Sequence, residues 1–264
     1  MRIAVIGGTG LIGTRVVARL RETGHDVVVA ARATGVNSYT AEGLEEALEG
    51  VETVVDTSNS SYLDEEAARE FFYASTMNLL TYGDAAGVRH HVALSVVGTD
   101  RLAQSEGGYF QAKAAQERLI VASGRQYSIV HGTQFFEFVR SITAAAMRSR
   151  IAHVADALVQ PIAADDVAAA VARTALGRPT NSIVEHAGPE IFELRELARR
   201  ELMWTSDDRE VVADPLATYF GAQLDRWELL PGPDAVIAPT TFHQWRVQAP
   251  DPSGLVPHTP AGVR

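Results

Sequence analysis

Tyr109 and Lys113 stand four residues apart in the stretch GGYFQAK, residues 107–113. On a helix that spacing puts a phenol and an ammonium on one face, one turn from each other. A cation beside a phenol favours the phenolate and draws the tyrosine toward the working range of a general acid. Of the 23 Lys and Arg residues in the chain, Lys113 is the sole lysine. Arginine serves wherever else a cation is needed, so this position calls for a compact point charge with three donors on a flexible stem. Such an ammonium could also donate to a cofactor ribose.

Ser95, in ALSVVG, closes a strand-like run. A hydroxyl at the carboxyl end of a strand points into the crevice where doubly wound sheets bind ligands. There it could hold a substrate carbonyl oxygen next to the phenol.

The stretch GGTGLIG spaces Gly7, Gly10 and Gly13 as G-x-x-G-x-x-G, directly after the first apolar run and at the start of a helical pattern. Glycines there allow a tight turn and close backbone approach, so that a helix N-terminus can offer unpaired N–H groups to a pyrophosphate. The end of the second strand, where an acidic residue would bond the ribose 2′-hydroxyl of NAD, reads Ala30, Ala31, Arg32. An arginine without a neighbouring carboxylate suits a 2′-phosphate, because its planar fork takes two oxygens at once. NADP(H) is therefore favoured over NAD(H); the competing reading of Arg32 is a solvated surface arginine.

The elements that must carry these residues alternate. Strands are expected at 2–6, 26–31, 52–56, 91–96 and 127–131, and helices at 11–21, 41–48, 64–86, 110–122 and 135–148. That order predicts an α/β fold, a Rossmann-like doubly wound parallel sheet covered on both faces. Beyond residue 150 the rhythm changes to a helix at 164–176, a strand at 182–186 and a helix at 194–204, read as a smaller C-terminal substrate lobe on the sheet's carboxyl edge. The division is a dinucleotide-binding core, 1–150, a substrate lobe, 151–247, partly returning to the sheet, and a Pro/Gly-rich tail, 248–264.

Composition narrows the function. A chain of 264 residues, 46% hydrophobic and 21% charged, matches an ordinary globular protein. The formal net charge of −10 argues against sequence-independent nucleic-acid binding. Without cysteine there is no disulfide framework, thiolate nucleophile or Cys-ligated zinc, which fits a reducing cytoplasm. The first ten residues have neither the apolar length of a signal peptide nor that of a membrane span, so a cytoplasmic protein without membrane attachment is expected. His90 and His91 find no third partner at ligand spacing, and no metal site is expected.

Together GGTGLIG, ALSVVG and YFQAK resemble the short-chain dehydrogenase/reductase superfamily. TQFFEF at 133–138 and QPIAADDVAAAV at 160–171 look like its atypical, NmrA-like branch, and the similarity runs from Met1 to about Arg246. The resemblance implies a nicotinamide dinucleotide as hydride source, Tyr109 as proton donor, Lys113 as its electrostatic partner and ribose ligand, and Ser95 as oxygen clamp. It puts Gly7, Thr9, Gly10, Leu11, Ile12, Gly13 and Thr133 at the cofactor, with Thr57, Ser58 and Asn59 along its ribose and phosphate, although these three also read as a polar turn. Many NmrA-like proteins lack the tyrosine, so its presence favours an enzyme. The chain departs from the pattern at His131, where relatives usually carry arginine, and at Asn37 and Ser38, where relatives often place an aspartate near the adenine.

Other residues carry two readings. His131 is a second acid or base, or a hydrogen-bonded packing group. Gln134 supplies a polar substrate contact, and Phe135, Phe136 and Phe138 line the substrate space or pack the core. Asn78 braces active-site backbone or faces a loop. Asp165 and Asp166 read as helix caps rather than an acid–base pair. Tyr219, Phe220, Trp227 and Trp245 close a pocket over a flat substrate or pack the lobe. The sum is NADPH-dependent reduction of a small organic carbonyl or conjugated compound. A dinucleotide-sensing regulatory protein and a redox-neutral epimerase or cyclase are the alternatives, and a homodimer stays open.

Overall fold

The computed structural model describes residues 1–60, 64–104 and 108–248. Strand β1 (Arg2–Ile6) is buried at Ile3, Ala4, Val5 and Ile6 without alternation, the mark of a strand covered on both faces. There follow α1 (Leu11–Glu22), β2 (Asp26–Ala30), α2 (Leu44–Leu48), β3 (Thr53–Asp56), α3 (Glu65–Ala85), β4 (His90–Val96), α4 (Thr99–Leu102), α5 (Gly108–Ala122) and β5 (Tyr127–Gly132). The remainder holds α6 (Val139–Ala145), β6 (Met147–Arg148), β7 (Ile151–Ala155), β8 (Leu158–Val159), α7 (Ala164–Leu176) and β9 (Ile183–Ala187). It ends with β10 (Phe192–Glu193), α8 (Leu194–Trp204), β11 (Glu210–Asp214), β12 (Val236–Ile237) and α9 (Phe242–Gln248).

Seven parallel strands form the central sheet in the order β12-β9-β5-β4-β3-β1-β2. Side chains alternate between its faces. Ile3, Val5, Val55, Val92 and Val130 meet α1 and α7, whereas Ala4, Ile6, Val54, Ala93 and Ile129 meet α2, α3 and α5. The Rossmann-like doubly wound fold is thus present. From β1 the chain steps to β2 on one side and then to β3 on the other, so the crevice between the loops leaving β1 and β3 is a topological switch point.

A second group of elements covers the carboxyl ends. Strands β6, β7 and β11 form a three-stranded sheet, and β8 pairs with β10. With α6, α8 and α9 they enclose an aromatic core in which Phe136 stacks on Trp245 at 5.2 Å between ring centroids. Phe72, Tyr109 and Phe110 belong to the same apolar cluster, which ties the start of α5 to this group.

Several elements differ from the expectation. The helix expected at 135–148 is broken into a 3-10 turn (Phe136–Phe138), the short α6 and strand β6. Ser149, at φ 59, turns the chain back so that Met147 and Arg148 pair with β7. The helix expected at 41–48 starts only at Leu44, because Gly43 sits at φ 69 against Gly35, whose carbonyl oxygen would lie 2.4 Å from any Cβ there. The strand expected at 182–186 is β9, seated beside β5 in the main sheet, and α7 packs on α1. Asp165 and Asp166 lie in the first turn of α7, but the Ala164 N–H is taken by the Glu137 carboxylate at 3.1 Å, while Asp165 pairs with Arg15 at 3.4 Å. Of the tail expected at 248–264, Gln248 closes α9 and the rest lies outside the described residues. No described helix is long and apolar enough to cross a membrane.

Candidate active site

Close packing fixes the glycine turn. Gly7 has φ 73, and a Cβ on it would come 2.9 Å from Ser58 Cα; a Cβ on Gly13 would come 2.2 Å from the Gly7 carbonyl oxygen. The Gly7 N–H donates to the Ala30 carbonyl at 2.9 Å, which anchors the turn to the end of β2. Gly10 precedes α1 with no side-chain cap, and the first turn holds no acidic residue. The helix therefore keeps amide donors and positive dipole for an anion at a place where the backbone can approach closely. Thr9 and Gly10 are exposed at the tip and Leu11 is half-buried, whereas the Ile12 side chain is buried in the core. These residues fit a dinucleotide pyrophosphate.

Arg32 is exposed at the start of the 3-10 turn (Arg32–Thr34) after β2, and no described carboxylate pairs with it. Across the crevice, the Thr57 hydroxyl donates to the Ile6 carbonyl at 2.8 Å. The Ser58 N–H and hydroxyl both donate to Asp56 Oδ1, at 2.9 and 2.6 Å. The Asn59 side-chain oxygen accepts from the Tyr109 hydroxyl at 3.0 Å. The structure thus brings the Gly7 turn, residues 57–59 and Tyr109 to one crevice.

Tyr109 and Lys113 are only 4% and 2% exposed. Both pack on Phe72 of α3, the phenol edge-on at 6.0 Å between centroids and the ammonium 4.6 Å from the ring centroid. Lys113 Nζ donates to the Leu94 carbonyl at 2.9 Å and to Gln116 Oε1 at 2.5 Å. Burial pushes the Lys113 ammonium down to about 8, against the carboxylates of Asp56 and Glu117, which hold it up.

Ser95 is turned elsewhere. Its hydroxyl donates in a short hydrogen bond to Glu117 Oε1, which His131 Nε2 also meets at 3.0 Å. Glu117 lies two turns beyond Tyr109 on α5, about 12 Å along the axis at the usual helical rise. The hydroxyl expected beside the phenol is held by a carboxylate: Ser95 shares a face of β4 with Ala93, which meets α5, and Glu117 is the α5 residue that takes it. His131 is buried in the same contact, the geometry of a hydrogen-bonded packing group. Burial raises the Glu117 carboxyl, but His131, Ser95 and Lys113 outweigh it and leave the group below the usual carboxylate range.

Past β5, Thr133 and Gln134 are buried, and Thr133 Oγ1 and both Gln134 amide atoms have no hydrogen-bond partner among the described residues. Unpaired buried polar atoms are costly, and at the carboxyl edge of the sheet they fit contacts to a polar ligand. Phe135 is half-buried and stacks on Phe138 at 5.5 Å. Phe136 is core, packed on Phe242 and Trp245. Tyr219 stacks on Phe110 at 6.3 Å, and Trp227 is exposed. Asn78 braces the loop after β2 by donating to the Ser38 and Tyr39 carbonyls.

The sequence reading missed Asp56, Gln116 and Glu117. Signals existed: Gln116 and Glu117 follow Lys113 at the i+3 and i+4 positions of one helix face, and Asp56 is the last residue of a strand facing the crevice.

Residues 3–133 match the NAD dependent epimerase/dehydratase family. The photosystem II assembly factor Ycf39 of Synechocystis sp. (strain ATCC 27184 / PCC 6803 / Kazusa) is 29% identical over 111 residues, 37% of this chain, and the match spans 34% of that relative's length. Among solved structures, a dTDP-4-dehydrorhamnose reductase ortholog from Clostridium acetobutylicum aligns over 86% of this chain and 89% of its own, with a TM-score of 0.68 at 15% identity. The NADPH-dependent quinone oxidoreductase of Escherichia coli, solved with NADPH, aligns over 81% and 78%, with a TM-score of 0.62 at 24% identity. MoeE5, in complex with UDP-glucose and NAD, aligns over 94% and 92%, with a TM-score of 0.67 at 17% identity. These structural likenesses carry the fold. The short-chain dehydrogenase/reductase resemblance is borne out, and residues 3–133 are similar to a family described as NAD dependent.

Proposed function

We propose that the protein is an NADPH-dependent oxidoreductase of the NmrA-like branch that reduces a small organic carbonyl or conjugated compound, with Tyr109 as proton donor. The observation that carries this reading is the phenol and ammonium on one face of α5, both packed on Phe72 and adjoining the loop that touches the glycine turn. A bound dinucleotide supplies hydride. Tyr109 gives its proton to the substrate oxygen, Lys113 stabilises the phenolate left behind, and the buried setting excludes water from both. Gly7, Gly10 and Gly13 receive the pyrophosphate, Thr133 and residues 57–59 the rest of the cofactor. Arg32, exposed and unpaired with any described carboxylate, takes the 2′-phosphate.

The substrate side supports a flat, uncharged molecule. Phe135 with Phe138, and Tyr219 with Phe220, offer aromatic faces. The quinone oxidoreductase likeness supports the same substrate class. We place the protein in the cytoplasm, acting on a small molecule and on neither nucleic acid nor membrane.

NADPH oxidation against a panel of quinones, enones and aldehydes tests this reading, with stoichiometric product expected. The epimerase/dehydratase match favours a second reading, redox-neutral chemistry on a tightly held cofactor; product without net NADPH consumption would single it out. The assembly-factor match favours a regulatory binding protein, for which dinucleotide-dependent partner capture without turnover is the signature.

A further inference from the structure

Between the glycine-turn crevice and Lys113 runs a buried chain of polar contacts whose direction is fixed. Asp56 Oδ2 accepts from Gln116 Nε2 at 3.0 Å, and Gln116 Oε1 accepts from Lys113 Nζ at 2.5 Å. An ammonium can only donate and a carboxylate only accept, so the amide between them has one orientation. Asp56 Oδ1 is in turn held by the backbone and hydroxyl of Ser58. Asp56, Gln116 and Lys113 are all buried, where each lost partner is costly.

We propose that Gln116 is a positioning residue: its side-chain amide holds the Lys113 ammonium one turn from Tyr109 and couples it to the carboxylate of Asp56. The catalytic consequence rests on the reading of Tyr109 given above; the coupling itself does not. The charged and titratable groups around Lys113 are Asp56 at the end of β3, Glu117 and Tyr109 on α5, His91 on β4 beside Asp56, and His131 on β5 against Glu117. Phe72 closes the α3 side, and the Leu94 carbonyl takes a second ammonium proton. Glu117 is occupied by Ser95 and His131, which leaves Gln116, among the described residues, as the side chain hydrogen-bonded to the ammonium. Without it, a buried cation loses an acceptor and its link to a counter-charge, so the charged form is disfavoured.

The single lysine makes the test direct. Protein labelled with 13Cε-lysine gives one side-chain resonance from the chain, and its pH titration reads Lys113 whether or not a substrate is known. Relative to the native midpoint, Gln116→Leu, Gln116→Met and Asp56→Asn should each lower it by about one pH unit. Circular dichroism confirms folding, and the Gln116→Met and Asp56→Asn variants decide the matter if Gln116→Leu does not fold. Midpoints unchanged in folded variants overturn the proposal. If the reductase reading also holds, the alkaline limb of the kcat profile moves with the NMR midpoint in each Gln116 variant while the Kd for NADPH stays within about twofold. Shifted midpoints with no turnover on any substrate would leave the coupling standing and remove the reductase reading.

Discussion

The Tyr109 hydroxyl donates to the Asn59 side-chain oxygen at 3.0 Å, bridging the first turn of α5 and the loop that leaves β3. The bridge crosses the crevice at the switch point of the sheet, next to the loop whose Ser58 backbone lies against Gly7. A proton donor held by a neutral amide oxygen keeps its proton and its direction until a substrate oxygen replaces that acceptor.

The glycine turn makes a sharp prediction. In Gly13→Ala the new methyl would sit 2.2 Å from the Gly7 carbonyl oxygen, so the turn must shift away from α1. Overpacking of this kind costs about 1–3 kcal/mol. Dinucleotide affinity, measured by calorimetry, should fall by roughly tenfold or more. Native affinity in a folded Gly13→Ala protein would mean that the pyrophosphate binds elsewhere.

Arg32 governs cofactor choice in this account. NADPH should bind at least about tenfold more tightly than NADH, a difference of about 1.4 kcal/mol, and Arg32→Ala should abolish the preference by weakening NADPH alone. Equal affinities in the native protein would retire the role of Arg32.

Acid should weaken the fold through its buried histidines. Burial, and then the neighbouring His91, lower His90 from 6.5 to about 4, and burial also lowers His91 and His186. The unfolded chain binds protons at these positions that the folded chain refuses, so their stability contribution is intact above the unfolded value near 6.5 and is lost as pH falls toward 4. His90 alone contributes a slope of up to about 1.4 kcal/mol per pH unit in that window. Urea midpoints between pH 7.5 and 4.5 should fall in the native protein and fall less in His90→Gln. Identical slopes would show that His90 does not carry the effect.

What was legible in the sequence follows from the range of each interaction. The apolar runs of β1, β3 and β5, the glycine punctuation and the full extents of α7 and α8 are local signals, and the structure repeats them closely. The break after Phe135 is different: it depends on Ser149 entering a left-handed turn and on β7 accepting β6, which no short window encodes. Tyr109 and Lys113 were visible because a helix brings i and i+4 together. The Gln116–Asp56 contact joins residues 60 positions apart and needed α5 to dock beside α3 on the sheet before it could exist. The fate of Ser95 was hidden for the same reason, since its strand position was correct and only the docking of α5 decided that Glu117 would take its hydroxyl.

The most direct measurement compares native protein and Tyr109→Phe for NADPH affinity and for NADPH oxidation with a conjugated carbonyl acceptor. The account predicts affinity within a few-fold of native and turnover reduced by about 10²–10⁴, the usual worth of a positioned general acid. Turnover equal to the native rate in Tyr109→Phe would contradict it.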